Sequence, residues 1–178
     1  MTTERTVAPP LRCAWLRELA VGYLRGLASH PEQVKDRWGY AFVPSRRKQV
    51  GIFVGFLTAS ARGGAPVLEP PECVVYAFVR PFGPSRGTQG KPARSPLHRK
   101  LARGKQSLLR QTFQRIVKYT ARKPRWELHE RVEMALIRHI PLAEFPPDDQ
   151  EKYARNFFIE TLSLLVRSGL PAALQRLD

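Results

Sequence analysis

The run Cys73-Val74-Val75-Tyr76-Ala77-Phe78-Val79 consists of apolar, mostly β-branched and aromatic side chains. Such side chains pack well on a pleated surface, so the run predicts a buried β-strand. Residues 40–43 and 49–58 have the same character, although two glycines weaken the second stretch. Residues 60–72 contain two Gly and three Pro and predict a loop. Together these stretches predict a small antiparallel sheet of two or three strands.

A helix is predicted before the sheet, over residues 11–28. Its apolar side chains recur at steps of three and four residues: Trp15, Leu16, Leu19, Tyr23 and Leu27. Residues 5–28 also hold four Arg and one acidic residue, a pattern that fits a mitochondrial targeting signal and equally an ordinary amphipathic helix. We therefore expect a mitochondrial location, with the cytoplasm as the alternative.

The charge of the 178-residue chain is concentrated in one segment. The net charge is +15, and residues 73–126 contain 14 basic and no acidic side chains. Within this segment, residues 80–96 are rich in Pro, Gly, Arg and Lys and have almost nothing apolar to bury, so they predict a linker. The longest apolar stretch, 50–59, is about half of the roughly 20 residues that a bilayer crossing needs, so no transmembrane segment is expected.

The basic segment carries the strongest functional signal. Its cationic residues are the candidate partner-binding or nucleic-acid-binding residues: Arg80, Arg86, Lys91, Arg94, Arg99, Lys100, Arg103, Lys105, Arg110, Arg115, Lys118, Arg122, Lys123 and Arg125. Lys and Arg side chains neutralise phosphates and release counterions, which gives strong, salt-dependent binding to nucleic acid. The same charge suits an acidic protein surface or anionic lipid headgroups.

Catalytic motifs are nearly absent. Residues 83–87 match G-x-S-x-G, but a nucleophile elbow requires a helix directly afterward, and residues 88–92 do not predict one. The four histidines lack metal-ligand spacing, and two cysteines are too few for a disulfide framework or a zinc cluster. The sequence predicts a protein that is not an enzyme and uses no metal or cofactor.

Three helices are predicted after the linker, over 97–121, 125–140 and from Asp148 to Gly169. Each has an apolar stripe, and prolines mark the turns between them, which is typical of a compact helical bundle. Five side chains from these stripes are expected to pack together: Phe113, Leu136, Phe157, Leu162 and Leu165. The predicted fold is α+β and mainly α. Residues 1–79 hold the N-terminal helix and the small sheet, 80–96 the linker, and 97–178 a three-helix bundle.

Residues 107–168 resemble the LYR-motif proteins, small three-helix accessory and assembly proteins of mitochondria. The resemblance lies in Leu108-Leu109-Arg110, then Arg115 and Tyr119, the Lys123-Pro124-Arg125 turn, and Ile137-Arg138. Leu109 stands where the motif has Tyr, and Ile137 where the family has Phe. The resemblance implies an assembly role, and it implies an acidic acyl carrier protein held by basic residues, with its acyl chain among the helices.

The sequence thus favours a non-catalytic accessory subunit of a large assembly. The assembly expected in mitochondria is a respiratory-chain complex or the mitochondrial ribosome. Its expected partners are other subunits of that complex, with RNA, an acyl carrier protein or anionic lipid headgroups as the acidic surface. A free-standing, sequence-independent RNA-binding or DNA-binding protein is the alternative. Copurification with one defined complex favours the accessory subunit, and salt-sensitive binding to generic nucleic acid favours the free-standing nucleic-acid-binding protein.

Overall fold

The computed structural model describes eight segments of the chain, and every structural statement below concerns them. They are residues 14–28, 30–34, 38–44, 50–57, 72–79, 103–120, 124–130 and 134–176.

Six strands and four α-helices are formed within these segments. The strands are β1 (Glu32–Gln33), β2 (Trp38–Phe42), β3 (Val50–Leu57), β4 (Glu72–Val79), β5 (Glu127–Glu130) and β6 (Met134–Pro141). The helices are α1 (Ala14–Leu24), α2 (Arg103–Tyr119), α3 (Gln150–Arg167) and α4 (Leu170–Gln175). Two 3-10 turns, Leu142–Glu144 and Pro147–Asp149, connect β6 to α3.

The strands form one antiparallel sheet in the order β1-β2-β3-β4-β6-β5. β4 lies inside the sheet, and seven of its eight residues are buried, which explains why its sequence is apolar on both faces. The pairing with β3 places Tyr76 opposite Phe53, and the pairing with β6 places it opposite Ile137.

The main core lies on one face of the sheet. All four helices contribute buried side chains to it, so they cover the same face. Phe158 of α3 is central: its ring centroid lies 5.5 Å from that of Phe56 on β3 and 6.1 Å from that of Trp15 on α1. The opposite face carries a second buried cluster, in which the Phe53 and Tyr76 rings stack with centroids 5.0 Å apart.

Gly39 in β2 allows a close approach within the sheet. It pairs with Gly55 of β3, and a Cβ atom at Gly39 would lie 2.6 Å from Gly55 Cα and 2.7 Å from Phe53 Cζ. Both distances are far below van der Waals contact, and backbone atoms cannot move aside as a flexible side chain can. Glycine is therefore required at this position by the space that the neighbouring strand and ring occupy.

We expect Gly39→Ala to lower the free energy of unfolding by about 1–3 kcal/mol, the usual cost of overpacking. Gly22→Ala is the matched control, because Gly22 is exposed in α1 and nothing lies within 4 Å of its added Cβ. This control should be stabilising by up to about 1 kcal/mol, since Ala is the better helix former. Urea denaturation of both variants measures the difference. Equal stability of the two variants would contradict the packing described for β2 and β3.

The predicted three-helix bundle is wrong. Residues 125–140, predicted as its second helix, instead contain β5 and β6, and β6 pairs along its whole length with β4. The sheet therefore has six strands rather than two or three, and the fold is a mixed α+β fold. The segment is rich in helix formers, but its alternate residues Met134, Leu136 and Arg138 are buried, and pairing with a central strand outweighs local propensity.

The helix predicted from Asp148 to Gly169 is present as α3. Gly169 follows its last turn with φ of 73°, in the left-handed region that glycine tolerates. Asp149 stands at the N-cap position but makes no side-chain cap hydrogen bond. The five side chains expected to pack together all belong to the main core, although Leu136 comes from a strand. The predicted linker, 80–96, lies outside the described residues.

Candidate docking surface on the basic helix

α2 has one apolar and one polar face. Leu109, Phe113 and Ile116 follow each other at steps of four and three residues, and all three are buried in the main core. Burial of this stripe fixes which side of α2 points outward. The helix ends at Tyr119, and Thr120 N donates a hydrogen bond to Ile116 O to close the last turn.

The outward side of α2 is basic and carries no carboxylate. We call it the α2 basic face and define it by six exposed residues: Arg110, Gln111, Gln114, Arg115, Lys118 and Tyr119. The Tyr119 side chain is 74% exposed, and Lys118 Nζ lies 5.6 Å from the centroid of its ring. This pair therefore combines a cation with an open aromatic ring.

One ion pair joins the α2 basic face to the sheet. Arg110 Nε donates to Glu130 Oε1 of β5 across 2.6 Å, and both side chains are partly exposed. The contact links the middle of α2 to β5, the edge strand of the sheet. Arg115 and Lys118 form no ion pair with any described residue, so their charges face outward without a carboxylate from the described segments.

The structure places part of the predicted basic set on this surface. Arg110, Arg115 and Lys118 lie on the α2 basic face, whereas Arg125 is exposed on the segment that precedes β5. Arg103 and Lys105 lie in the first turn of α2, and their side chains are outside the described part of the chain. The other predicted residues also lie outside it: Arg80, Arg86, Lys91, Arg94, Arg99, Lys100, Arg122 and Lys123.

The described residues also show where titratable groups lie away from α2. Burial raises the pKa of the Cys73 thiol well above its usual range, because the apolar surroundings disfavour the thiolate. His139 Nδ1 lies 3.2 Å from Glu72 Oε2, and His129 Nε2 lies 3.2 Å from Glu127 Oε2. His139, His129 and Glu127 lie in β5 and β6, in the segment predicted as a helix, whereas Glu72 lies in β4.

Two absences hold for the described residues. No group of three or more His, Cys, Asp or Glu side chains among them is arranged to hold a metal ion. None of the helices described combines the length and the apolar character needed to span a bilayer.

Arg138 is a buried charged residue whose structural role was not predicted from the sequence. Its side chain is 1% exposed and projects from β6 toward α3. Nε donates to Pro124 O at 2.8 Å, Nη1 to Thr161 Oγ1 at 2.8 Å, and Nη2 to Glu160 Oε1 at 3.1 Å. The signal in the sequence is a cation at an alternating position in a mostly apolar strand.

Comparisons with known proteins give no match: no family model, no curated protein and no solved structure is similar to this chain. The resemblance to LYR-motif proteins therefore remains a prediction. β5 and β6 occupy the residues to which it assigns a second helix, and Ile137 and Arg138 lie in β6.

Proposed function

We propose that this chain is a non-catalytic accessory subunit of a larger assembly and that it docks through the α2 basic face. One observation carries the proposal: α2 fills the core with its apolar stripe while presenting Arg115 and Lys118 outward, with no carboxylate of the described segments paired to them. Uncompensated like charges repel one another, and an acidic partner relieves that repulsion.

The mixed chemistry of the face supports docking on a defined surface. Gln111 and Gln114 lie among the cations and offer both donors and acceptors of hydrogen bonds, which charge attraction alone does not require. A rigid helix that is already packed on its own core loses little conformational freedom when it binds. The proposed location of the assembly in mitochondria rests on the arginine pattern of residues 5–28 and on the resemblance of residues 107–168 to LYR-motif proteins.

A second candidate function is supported by Tyr119. An exposed aromatic ring beside a lysine is the combination on which unpaired bases stack while the cation contacts phosphate. This feature favours RNA as the acidic surface, either within the assembly or as a free ligand. Nucleic-acid binding predicts a steep dependence of affinity on salt concentration, because each neutralised phosphate releases counterions.

The docking proposal is tested by charge reversal in the full-length chain. We expect Arg115→Glu with Lys118→Glu to abolish copurification of the partner, since it replaces two outward cations with two anions. Lys152→Glu with Arg176→Glu is the matched control: it makes the same change in net charge at two other exposed positions. Circular dichroism checks that both variants keep the fold.

Tagged wild-type and variant chains are purified from cells, and the retained proteins and RNA are identified. The proposal predicts one defined set of proteins with wild type and control, and loss of that set with the α2 variant. If the wild-type chain retains RNA and no protein stays bound after nuclease treatment, the result favours the RNA-binding candidate instead. Identical retention by both double variants would contradict docking through the α2 basic face.

A further inference from the structure

A groove of about 550 Å³ lies between the C-terminal end of α2 and α3. Tyr119, Ile159 and Leu164 give it apolar walls, and the buried Arg138 of β6 lies among its lining residues. Glu160 and Arg167 of α3 also line it. The volume lies in the range of roughly 300–1,000 Å³ that is usual for small-molecule sites.

Arg138 has hydrogen-bonding capacity that the described residues do not use. A guanidinium has five N–H groups. The hydrogen bonds to Pro124, Thr161 and Glu160 use one N–H group of Nε, Nη1 and Nη2, respectively. The second N–H groups of Nη1 and Nη2 have no acceptor among the described residues. Buried donors without acceptors are costly, so a ligand that supplies an acceptor here gains that free energy.

The charges of the groove fit a monoanion. Arg138 and Arg167 contribute two positive charges, and Glu160 contributes one negative charge. Arg167 forms no ion pair with any residue of the described segments. The Glu160 carboxylate already binds Arg138 from the groove and is 49% exposed, so it can turn toward solvent. The groove thus shows that a carboxylate is accommodated at this guanidinium.

We propose that this groove is a binding site for a small organic carboxylate with an apolar tail. The carboxylate takes the free N–H groups of Arg138 and is attracted by Arg167, while Glu160 swings outward. The tail lies against Tyr119, Ile159 and Leu164, where its burial from water stabilises the complex. The inference is separable from docking through α2, because the charged residues of the groove, Arg138, Glu160 and Arg167, belong to β6 and α3. Tyr119 is the one residue that the groove shares with the α2 basic face.

Octanoate is the probe, titrated into the full-length protein by isothermal calorimetry, with octylamine as the control ligand of opposite charge. Saturable binding of octanoate and none of octylamine is expected.

Arg167→Gln should weaken octanoate binding about threefold, the size of an exposed charge interaction. Glu160→Gln should tighten it about fivefold, because the competing carboxylate is gone. Lys152→Gln, which removes an exposed cation of the same helix outside the groove, should leave the affinity unchanged.

Methyl-group NMR locates the ligand: octanoate should shift the Ile159 and Leu164 methyl signals. These opposite changes in affinity, together with the methyl shifts, would support the site, because a purely structural role of Glu160 predicts no gain. No saturable binding by the wild-type protein, equal binding of octylamine, or unchanged affinity in both groove variants would each overturn it.

Discussion

Replacing Phe158 with Ala is expected to lower the free energy of unfolding by about 3–5 kcal/mol. Phe158 is fully buried, and its ring contacts those of Trp15, Phe56 and Phe157, with centroids 5.3–6.1 Å apart. It thereby joins α3 to α1 and to the sheet. Truncation removes a large apolar surface and leaves a cavity that three different elements cannot fill together.

Ile159→Ala is the matched control for this experiment. Ile159 is the next residue of α3 but is 41% exposed, so its truncation should cost less than about 1 kcal/mol. Urea denaturation followed by circular dichroism gives both values. Similar losses for the two variants would show that the face of α3 carrying Phe158 does not pack on the sheet.

Replacing Arg138 with Ala is expected to cost about 3 kcal/mol or more. The buried Thr161 hydroxyl loses its donor, which costs about 1–3 kcal/mol, and the partly buried Pro124 O loses one as well. The packing of the guanidinium near Phe157, 5.6 Å from the ring centroid, is lost as well. The substitution therefore loosens the contact of β6 with α3.

Glu160→Gln separates the ion pair from the rest of this network. Its carboxylate is 49% exposed, and a half-exposed charge partner contributes little after solvent screening, about 1 kcal/mol or less. Denaturant unfolding of both variants should therefore give a much larger loss for Arg138→Ala. A loss for Glu160→Gln that equals the loss for Arg138→Ala would mean that the charge pair, rather than the hydrogen bonds and packing, stabilises this contact.

Local signals were sufficient where an element is defined by its own sequence. α3 has prolines before it, a continuous apolar stripe and Gly169 after it, so its ends and its buried face could be predicted. The apolar run of β4 is likewise independent of context, since both of its faces are buried. α2 could be predicted as a helix with a basic face because charge and periodicity are both written in its residues.

Long-range pairing could not be read from the sequence in the same way. Residues 134–141 combine good helix formers with a weak alternation of buried and partly buried positions. They form a strand because they pair with β4 along its edge. β1 is two residues long and carries no strand signal of its own. The role of Arg138 depends on β6 lying under α3, so a helix assignment for β6 concealed both the buried charge and the groove beside it.

The most direct test of docking through α2 is site-specific crosslinking in cells. A photoreactive residue replaces Gln111 on the α2 basic face or, as the control, Lys152 on α3, both of which are exposed. Crosslinked products are identified by mass spectrometry after purification of the full-length chain. The proposed function predicts one defined partner crosslinked from Gln111 and not from Lys152. A partner that crosslinks from Lys152 but never from Gln111 would contradict it.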